Sequence, residues 1–278
     1  MSNYRPGGFH FSLPLVIKNL MIINGLVWLI QMTLLHRYGY DMNDHFALHY
    51  WGSSAFRPYQ FITHFFMHST SNPWHLIMNM LILWISGATL ENHWGPKRFL
   101  VFYLICGLGA ALCYMGVLTY ENITLTKYAN AFLHDPTYSN FVALDNKFSL
   151  SDGSTSLSGL KDVLSHDPNN DAAIGIAKVY VQQYVHQYSN TVVVGASGAI
   201  YGILFAFGYL FPNNIVFYSF FFPVKAKFFA GFMIISEIWA GIQNAPDDNV
   251  AHFAHLGGVL FAYLLIKAWN RTHRKDFS

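Results

Sequence analysis

A serine flanked by small residues lies in one strongly apolar segment, and a histidine lies near the start of another. Ser197 belongs to segment 195–202, with the sequence GASGAIYG, and His255 begins the last apolar segment. A serine hydroxyl becomes a nucleophile only when a base lies within hydrogen-bond reach, and histidine is the usual base because its pKa lies near neutral. These residue types predict a hydrolase in which Ser197 is the nucleophile and His255 the general base.

A third apolar segment supplies the hydrogen-bond donors that such chemistry needs. His75 and Asn79 are four residues apart, so on a helix they share one face and can donate together. Attack on a carbonyl creates an oxyanion, which preorganised donors stabilise. We therefore expect these two side chains to form an oxyanion hole. The residues expected to support the site by clearing space, stacking or packing are Tyr201, Gly195, Gly198 and His252.

Each of these features also has an ordinary structural explanation. Gly198 and Gly202 form a small-residue face of the kind that membrane helices use to approach one another. His252 and His255 could hydrogen-bond between helices without any catalytic role, and so could the histidine–asparagine pair. Taken one at a time, these motifs favour packing over chemistry, so their positions relative to one another must decide.

The composition is that of an integral membrane protein. Of the 278 residues, 53% are hydrophobic and 11% are charged, whereas a soluble domain carries roughly a quarter charged residues. The formal net charge of +2 gives no reason to expect a nucleic-acid partner. Cys106 and Cys113 are separated by about 10 Å if their segment is helical, which is too far for a disulfide.

Several apolar segments are long enough to cross a bilayer, which takes about 20 residues. We predict spans at 15–35, 73–91, 98–120, 191–211, 227–244 and 251–269. With six spans the basic clusters fall on one side, as the positive-inside rule requires. These clusters contain Arg5, Lys18, Lys97, Arg98, Lys225, Lys227, Lys267, Arg271, Arg274 and Lys275. The prediction is one all-α domain over residues 1–278, a polytopic six-transmembrane helical bundle with both termini cytoplasmic.

This topology places the candidate residues at one depth in the membrane. Counted from the outer end, Ser197 and His255 lie about five or six residues into their spans, and His75 and Asn79 lie in the first turns of theirs. Three independent placements agree, and ionisable groups inside membranes are usually functional, so catalysis becomes the favoured interpretation. No acidic residue is expected at matching depth on these three helices. The sequence therefore predicts a Ser–His dyad and gives Glu237 no role.

Two connections are long. Residues 37–72 form a first loop rich in aromatic residues, which we expect to lie half-immersed at the outer interface. His64 and His68 in this loop have the spacing of metal ligands, but no third ligand accompanies them, so a structural role is the stronger hypothesis. Residues 121–190 are expected to form a large, polar, extracytoplasmic insertion between the third and fourth helices.

The motifs resemble those of the rhomboid family of intramembrane serine proteases. Four family patterns occur with their spacing intact, namely GxSGxxxG at 195–202, AHxxG at 254–258, HxxxN at 75–79 and ExxxG at 91–95. The aromatic–arginine signature of the family's first loop corresponds to Phe56 and Arg57, with phenylalanine in place of the usual tryptophan or tyrosine. Ala262 replaces a glycine that is common in the family.

The resemblance implies an endopeptidase that cuts single-span membrane proteins in or beside their transmembrane segments, with the Ser197 backbone amide joining the oxyanion hole. It implies no metal ion and no cofactor, and as partners only substrates and membrane lipid. We expect a bacterial inner membrane, with the site opening to the outer side. Three other classes stay open: a non-cleaving relative that binds membrane clients, a membrane metallohydrolase and a transporter. The intact serine and histidine motifs count against the non-cleaving relative. The shortage of histidine boxes with carboxylates counts against the metallohydrolase, and the lack of an internal repeat counts against the transporter.

Overall fold

The computed structural model describes residues 13–150, 155–218, 222–243 and 252–273, and over these ranges the chain is mostly helical. The helices are α1 Leu15–Tyr38, α2 Asn43–Phe46, α3 Gln60–Thr63, α4 Pro73–Ile82, α5 Ala88–Trp94, α6 Pro96–His134, α7 Tyr138–Phe148, α8 Thr155–His166, α9 Asp171–Ser189, α10 Ser197–Leu210, α11 Ala226–Gln243 and α12 His252–His273. Arg5, Arg274 and Lys275 of the predicted basic clusters lie outside the described residues.

Four of the described helices are long and apolar enough to cross a membrane, namely Leu15–Tyr38, Pro73–Trp94, Pro96–His134 and His252–Asn270. The second of these is a continuous helix in which a π-helical turn, Leu83–Gly87, joins α4 to α5. α10 is apolar but has only 14 residues, and α11 has 18 residues that include a buried glutamate. The protein is therefore a multi-pass, membrane-embedded helical bundle.

The predicted fourth span is wrong at its N-terminal end. The prediction starts the helix at residue 191, but Val192–Val193 form strand β2, which pairs antiparallel with strand β1, Leu48–His49, in the first loop. β-branched valines favour extended backbone, and Gly195, with a φ of 106°, then turns the chain into α10. Ser197 is therefore the first residue of its helix rather than about six residues inside it.

The connection between α10 and α11 is a second antiparallel pair. Strand β3, Ile215–Tyr218, pairs with strand β4, Phe222–Lys225, with Ile215 opposite Lys225. Aromatic and β-branched residues dominate both strands, which suits extended backbone. The two strand pairs are exceptions to the all-α prediction within the described ranges, and neither interrupts a helix that carries a candidate residue.

Within 121–190, the residues that the structure describes form a helical layer. α6 runs for 39 residues, about 58 Å, so it continues well beyond the roughly 30 Å of a bilayer core. Its second half buries Leu125, Ala129 and Phe132 at helical spacing in a core shared with α7, α8 and α9. This core is distinct from the one formed by the membrane helices.

Helices α6, α10 and α12 meet along a seam of small residues. A Cβ atom added to Gly258 would lie 1.8 Å from the carbonyl oxygen of Gly198, so the backbones of α12 and α10 touch. A Cβ on Gly198 would lie 2.5 Å from Cβ of Ala110 on α6, and one on Gly257 would lie 2.7 Å from Cβ of Cys113. Small residues allow such close packing in membranes. The seam fixes the separation between the helices that carry the candidate serine and histidine.

Glu91, near the C-terminal end of α5, links this helix to the start of α1. Its carboxylate oxygens each accept a hydrogen bond of 2.9 Å, from the backbone N–H groups of Val16 and Ile17. The first N–H groups of a helix have no intrahelical acceptor, and a negative charge there also suits the helix dipole. Gly95, with a φ of 82°, and Pro96 then turn the chain into α6.

Candidate active site

Ser197 begins α10, and the turn before it depends on Gly195. The positive φ of Gly195 is a conformation that glycine adopts without steric cost. Its N–H donates to the carbonyl oxygen of His64 at 2.9 Å, so the first loop holds this turn in place. Helix N-termini present backbone N–H groups without intrahelical acceptors at the positive end of the helix dipole. The serine hydroxyl therefore lies next to backbone donors.

His255 lies in the first turn of α12 and contacts Ser197 directly. Its Nε2 atom is 2.8 Å from Ser197 Oγ, which is within reach for proton transfer. The imidazole is buried and stacks on the ring of Tyr201, with centroids 4.2 Å apart and planes inclined by 10°. The structure thus brings together Ser197, His255 and Tyr201, which residue type and spacing single out in the sequence.

Glu237 on α11 is a site residue that the sequence interpretation missed. Its Oε2 is 2.6 Å from His252 Nδ1 and 2.9 Å from His255 Nδ1, and its Oε1 accepts a hydrogen bond from the Tyr201 hydroxyl. This glutamate lies on α11, outside the three helices on which the sequence predicts no acidic residue at matching depth. Counted from the outer end of the fifth predicted span, this glutamate is about seven residues deep. A lone acid in an apolar helix was a usable signal.

His75 and Asn79 lie on α4 beside the turn that precedes Ser197. A Cβ on Gly195 would lie 3.0 Å from His75 Nε2 and 3.7 Å from Asn79 Nδ2. The Ser69 N–H donates to His75 Nδ1 at 3.4 Å, so Nε2 is the ring nitrogen that carries the proton. Asn79 Nδ2 is buried and has no hydrogen-bond partner among the residues that the structure describes. Each side chain thus holds a donor next to the turn, as an oxyanion hole requires.

The first-loop histidines hold the loop against the site. His64 Nδ1 donates to the carbonyl oxygen of Gln60 at 2.8 Å, while its own carbonyl oxygen receives the N–H of Gly195. His68 lies against His75, with ring centroids 5.2 Å apart. Both first-loop imidazoles are buried. These contacts favour the structural role over metal binding for the pair.

Burial makes the first loop sensitive to acid. Removal from water lowers the pKa of His64 from 6.5 to about 4, and burial together with repulsion from His75 lowers the pKa of His68 to about 4. In the unfolded chain both titrate near 6.5, so the unfolded state binds more protons between about pH 6.5 and pH 4. The stabilisation is complete above pH 6.5 and is lost as the pH falls through this window, by about 3 kcal/mol for each histidine.

Thermal unfolding in detergent micelles, followed from about pH 7.5 to about pH 4.5, measures this effect. We expect the midpoint to fall with pH, and to fall less in His64→Asn, whose amide can still bond to the Gln60 carbonyl oxygen but does not titrate. His166→Asn, at an exposed histidine, is the matched control and should follow the wild type. A midpoint that does not depend on pH, or a His64→Asn protein with the full wild-type dependence, would contradict the expectation.

Glu237, His252 and His255 also invite comparison with a metal site, since their ligand atoms lie within 4.8 Å of one another. Two ligands of one tetrahedral zinc ion, each bound at about 2.0–2.1 Å, are about 3.3 Å apart. The carboxylate lies only 2.6 Å and 2.9 Å from the two histidine nitrogens, which are hydrogen-bond separations. The remaining nitrogen of His255 contacts Ser197. The cluster therefore has the geometry of groups that share protons.

The membrane-embedded helical bundle thus contains a contact of 2.8 Å between Ser197 Oγ and the buried His255 imidazole. The family model described as the rhomboid domain matches residues 55–126 and 172–270, which is more than half of the chain. The chain belongs to the rhomboid family, whose members are generally intramembrane serine proteases. Residues 127–171, between the two matched ranges, contain the end of α6 together with α7 and α8.

Two named relatives are similar to the chain over different lengths. RHOMBOID-like protein 12, mitochondrial, of Arabidopsis thaliana is 23% identical over 262 residues, which are 94% of this chain and 60% of the plant protein. An uncharacterised mitochondrial rhomboid protein of Schizosaccharomyces pombe is 35% identical over 94 residues, which are 32% of this chain and 24% of the yeast protein. The chain thus spans only part of the length of either relative. No solved structure gives a significant match.

Proposed function

We propose that this protein is a serine endopeptidase that hydrolyses peptide bonds in or next to transmembrane segments. The observation that carries the proposal is the 2.8 Å contact between Ser197 Oγ and His255 Nε2 in a buried site. A relative that binds membrane clients without cutting them has no need of this contact. Membership of the rhomboid family gives independent support for protease chemistry.

The proposed reaction proceeds in two steps. Ser197 Oγ attacks the substrate carbonyl while His255 Nε2 takes its proton, and the oxyanion accepts hydrogen bonds from His75 Nε2, Asn79 Nδ2 and the Ser197 backbone N–H. Collapse of the intermediate expels the amine, which receives the proton from the imidazole. Water, deprotonated by the same imidazole, then hydrolyses the acyl-enzyme and restores the serine. No metal or cofactor takes part in this proposal.

The proposed topology has six spans with both termini on the cytoplasmic side. Four of the described helices are long and apolar enough to span the membrane. The proposal adds α10 and α11 as the remaining two of the six spans. The candidate residues lie at the N-terminal ends of α4, α10 and α12, as expected if all three helices enter from the outer face. Lys97 and Arg98 lie in the first turn of α6, and Lys225 and Lys227 flank the first residue of α11, which supports a cytoplasmic position for those ends.

The helical layer formed by α7, α8 and α9 is proposed to lie on the active-site side as a part of one rhomboid domain over residues 1–278. α6 starts next to the cytoplasmic basic pair, so its far end, which carries the layer, must emerge on the outer side. The first loop is proposed to lie at the outer interface, since Trp51 and Tyr59 are exposed.

The proposed substrates are single-span membrane proteins, approached through the surrounding lipid. Both named relatives are described as mitochondrial, so the bacterial inner membrane expected from the sequence has no support from them. The six-span topology does not depend on which membrane holds the protein.

Co-expression with a single-span substrate tagged at both ends tests the proposed function. We expect the wild type to release a fragment cut in or beside the membrane segment, and Ser197→Ala to lower its amount by on the order of 10⁴-fold or more, because the nucleophile is gone. Ser236→Ala is the matched control, since its hydroxyl only donates to the Met233 carbonyl oxygen on α11, and it should cleave like the wild type. The same fragment from a folded Ser197→Ala protein would refute the proposal.

A further inference from the structure

A buried carboxylate on α11 contacts three side chains of the candidate site at once. Glu237 is 7% exposed, and its oxygens are reached by the Tyr201 hydroxyl, His252 Nδ1 and His255 Nδ1. A charge removed from water is costly unless it is paired and hydrogen-bonded. The hydrogen bonds from the Tyr201 hydroxyl and His252 Nδ1, together with the nearby His255 Nδ1, offset much of that cost. Ionisable groups at such positions in membrane proteins generally serve a function.

Packing does not account for a glutamate at this place. The buried residues of α11, among those the structure describes, are Ala226, Ala230 and Glu237. The two alanines let α11 approach its neighbours, as Ala230 does beside Gly208 of α10. An apolar side chain of similar size would fill the space of the carboxylate without the desolvation cost. The charge itself therefore needs an explanation.

The two ring nitrogens of His255 face different partners. Nδ1 lies 2.9 Å from Glu237 Oε2, and Nε2 lies 2.8 Å from Ser197 Oγ. An ionised carboxylate only accepts hydrogen bonds, so it favours the tautomer with the proton on Nδ1 and a lone pair on Nε2. That is the tautomer that can take the proton of the serine. At this separation His255 Nδ1 forms no regular hydrogen bond, and poorly aligned contacts between catalytic groups often tighten when substrate binds.

Tyr201 and the glutamate constrain the imidazole in complementary ways. The tyrosine ring lies parallel to the imidazole and fixes the plane of the ring. The carboxylate lies at one edge of that ring and determines which edge faces Ser197. The tyrosine hydroxyl donates to the other carboxylate oxygen, so both constraints belong to one hydrogen-bonded unit.

We propose that Glu237 is a positioning residue that holds His255 in its reactive tautomer and stabilises the imidazolium formed during turnover, so that the site works as a Ser–His–Glu triad. This inference rests on the proposed protease function. The glutamate acts through His255 and has no contact with Ser197 of its own. His252 shares the carboxylate and keeps it in place from the same helix as the catalytic histidine.

Turnover of a single-span substrate by purified protein in lipid vesicles tests the inference. Glu237→Gln keeps the size of the side chain and removes the charge, and we expect kcat to fall on the order of 10²-fold or more with KM nearly unchanged. The rate at which a fluorophosphonate labels Ser197 should fall in parallel. Glu237→Asp retains the charge and should recover at least about tenfold of the loss. In a His255→Ala background, Glu237→Gln should cause no further loss, because the two residues act as one unit.

Glu91→Gln is the matched control, since it neutralises another buried carboxylate, whose hydrogen-bond partners among the described residues are the backbone N–H groups of Val16 and Ile17. We expect it to lower the unfolding temperature but to leave kcat per folded molecule unchanged. A Glu237→Gln protein with wild-type kcat, or a loss that Glu237→Asp does not reduce, would overturn the inference while leaving the protease activity established. A wild-type protein that neither cleaves substrate nor labels at Ser197 would overturn both.

Discussion

Replacing His255 with alanine is expected to lower turnover by on the order of 10⁴-fold or more, because the serine then has no base within reach. The imidazole nitrogen that lies 2.8 Å from Ser197 Oγ is the only basic group recorded in contact with that hydroxyl among the described residues. Without it, the hydroxyl stays protonated near neutral pH and is a weak nucleophile. The measurement is the rate of substrate cleavage by purified protein in lipid vesicles.

The control for this change is His36→Ala, at an exposed histidine whose ring bonds only to the Met32 carbonyl oxygen on its own helix. It should cleave like the wild type. Loss of the stack on Tyr201 could also affect folding, so the unfolding temperature must be measured for both variants. A folded His255→Ala protein that retains more than about a hundredth of the wild-type rate would contradict the assignment of the base.

Gly258→Ala is expected to lower the free energy of unfolding by about 3 kcal/mol or more. The reason is that the added Cβ meets backbone atoms rather than a flexible side chain. It would lie 1.8 Å from the carbonyl oxygen and 2.8 Å from the carbonyl carbon of Gly198. Helices α10 and α12 must then separate, and the histidine one turn before Gly258 moves away from the serine. Both the unfolding temperature and the activity of the folded fraction should fall.

Gly231→Ala is the matched control for that substitution. Gly231 lies within α11, and a Cβ added there meets nothing within 4 Å. Since alanine favours helix over glycine by up to about 1 kcal/mol, this variant should be as stable as the wild type or more stable. Thermal unfolding in detergent, with size-exclusion chromatography to count folded protein, separates the two results. A Gly258→Ala protein that melts with the wild type would show that the seam is not tightly packed.

The parts of the site that could be predicted from the sequence are those carried by short spacings on single helices. His75 and Asn79 share a helix face because they are four residues apart, and Ser197 and Tyr201 do so for the same reason. The expected depth of each residue below the outer membrane face was then used to predict which residues on different helices lie close together. This second step used the topology, and the structure brings Ser197 to His255 although Ser197 is the first residue of α10 rather than about six residues inside a span.

The parts that could not be predicted depend on contacts between distant segments. β2 forms because Val192–Val193 pair with Leu48–His49, more than 140 residues earlier in the chain, and the preference of valine for extended backbone does not by itself identify that partner. The helical layer formed by the second half of α6 with α7, α8 and α9 is stabilised by a core to which all four helices contribute. Glu237 was visible as an acid in an apolar segment, but its partners lie on α10 and α12, so only the packed bundle identifies its role.

Labelling of the purified protein in lipid vesicles with a fluorophosphonate, followed by mass spectrometry of the modified peptide, tests most directly whether Ser197 is an activated nucleophile. The contact between Ser197 Oγ and His255 Nε2 predicts a single adduct on Ser197, abolished in Ser197→Ala and strongly slowed in His255→Ala. An unlabelled wild-type protein, or an adduct on any other residue with Ser197 unmodified, would contradict the account.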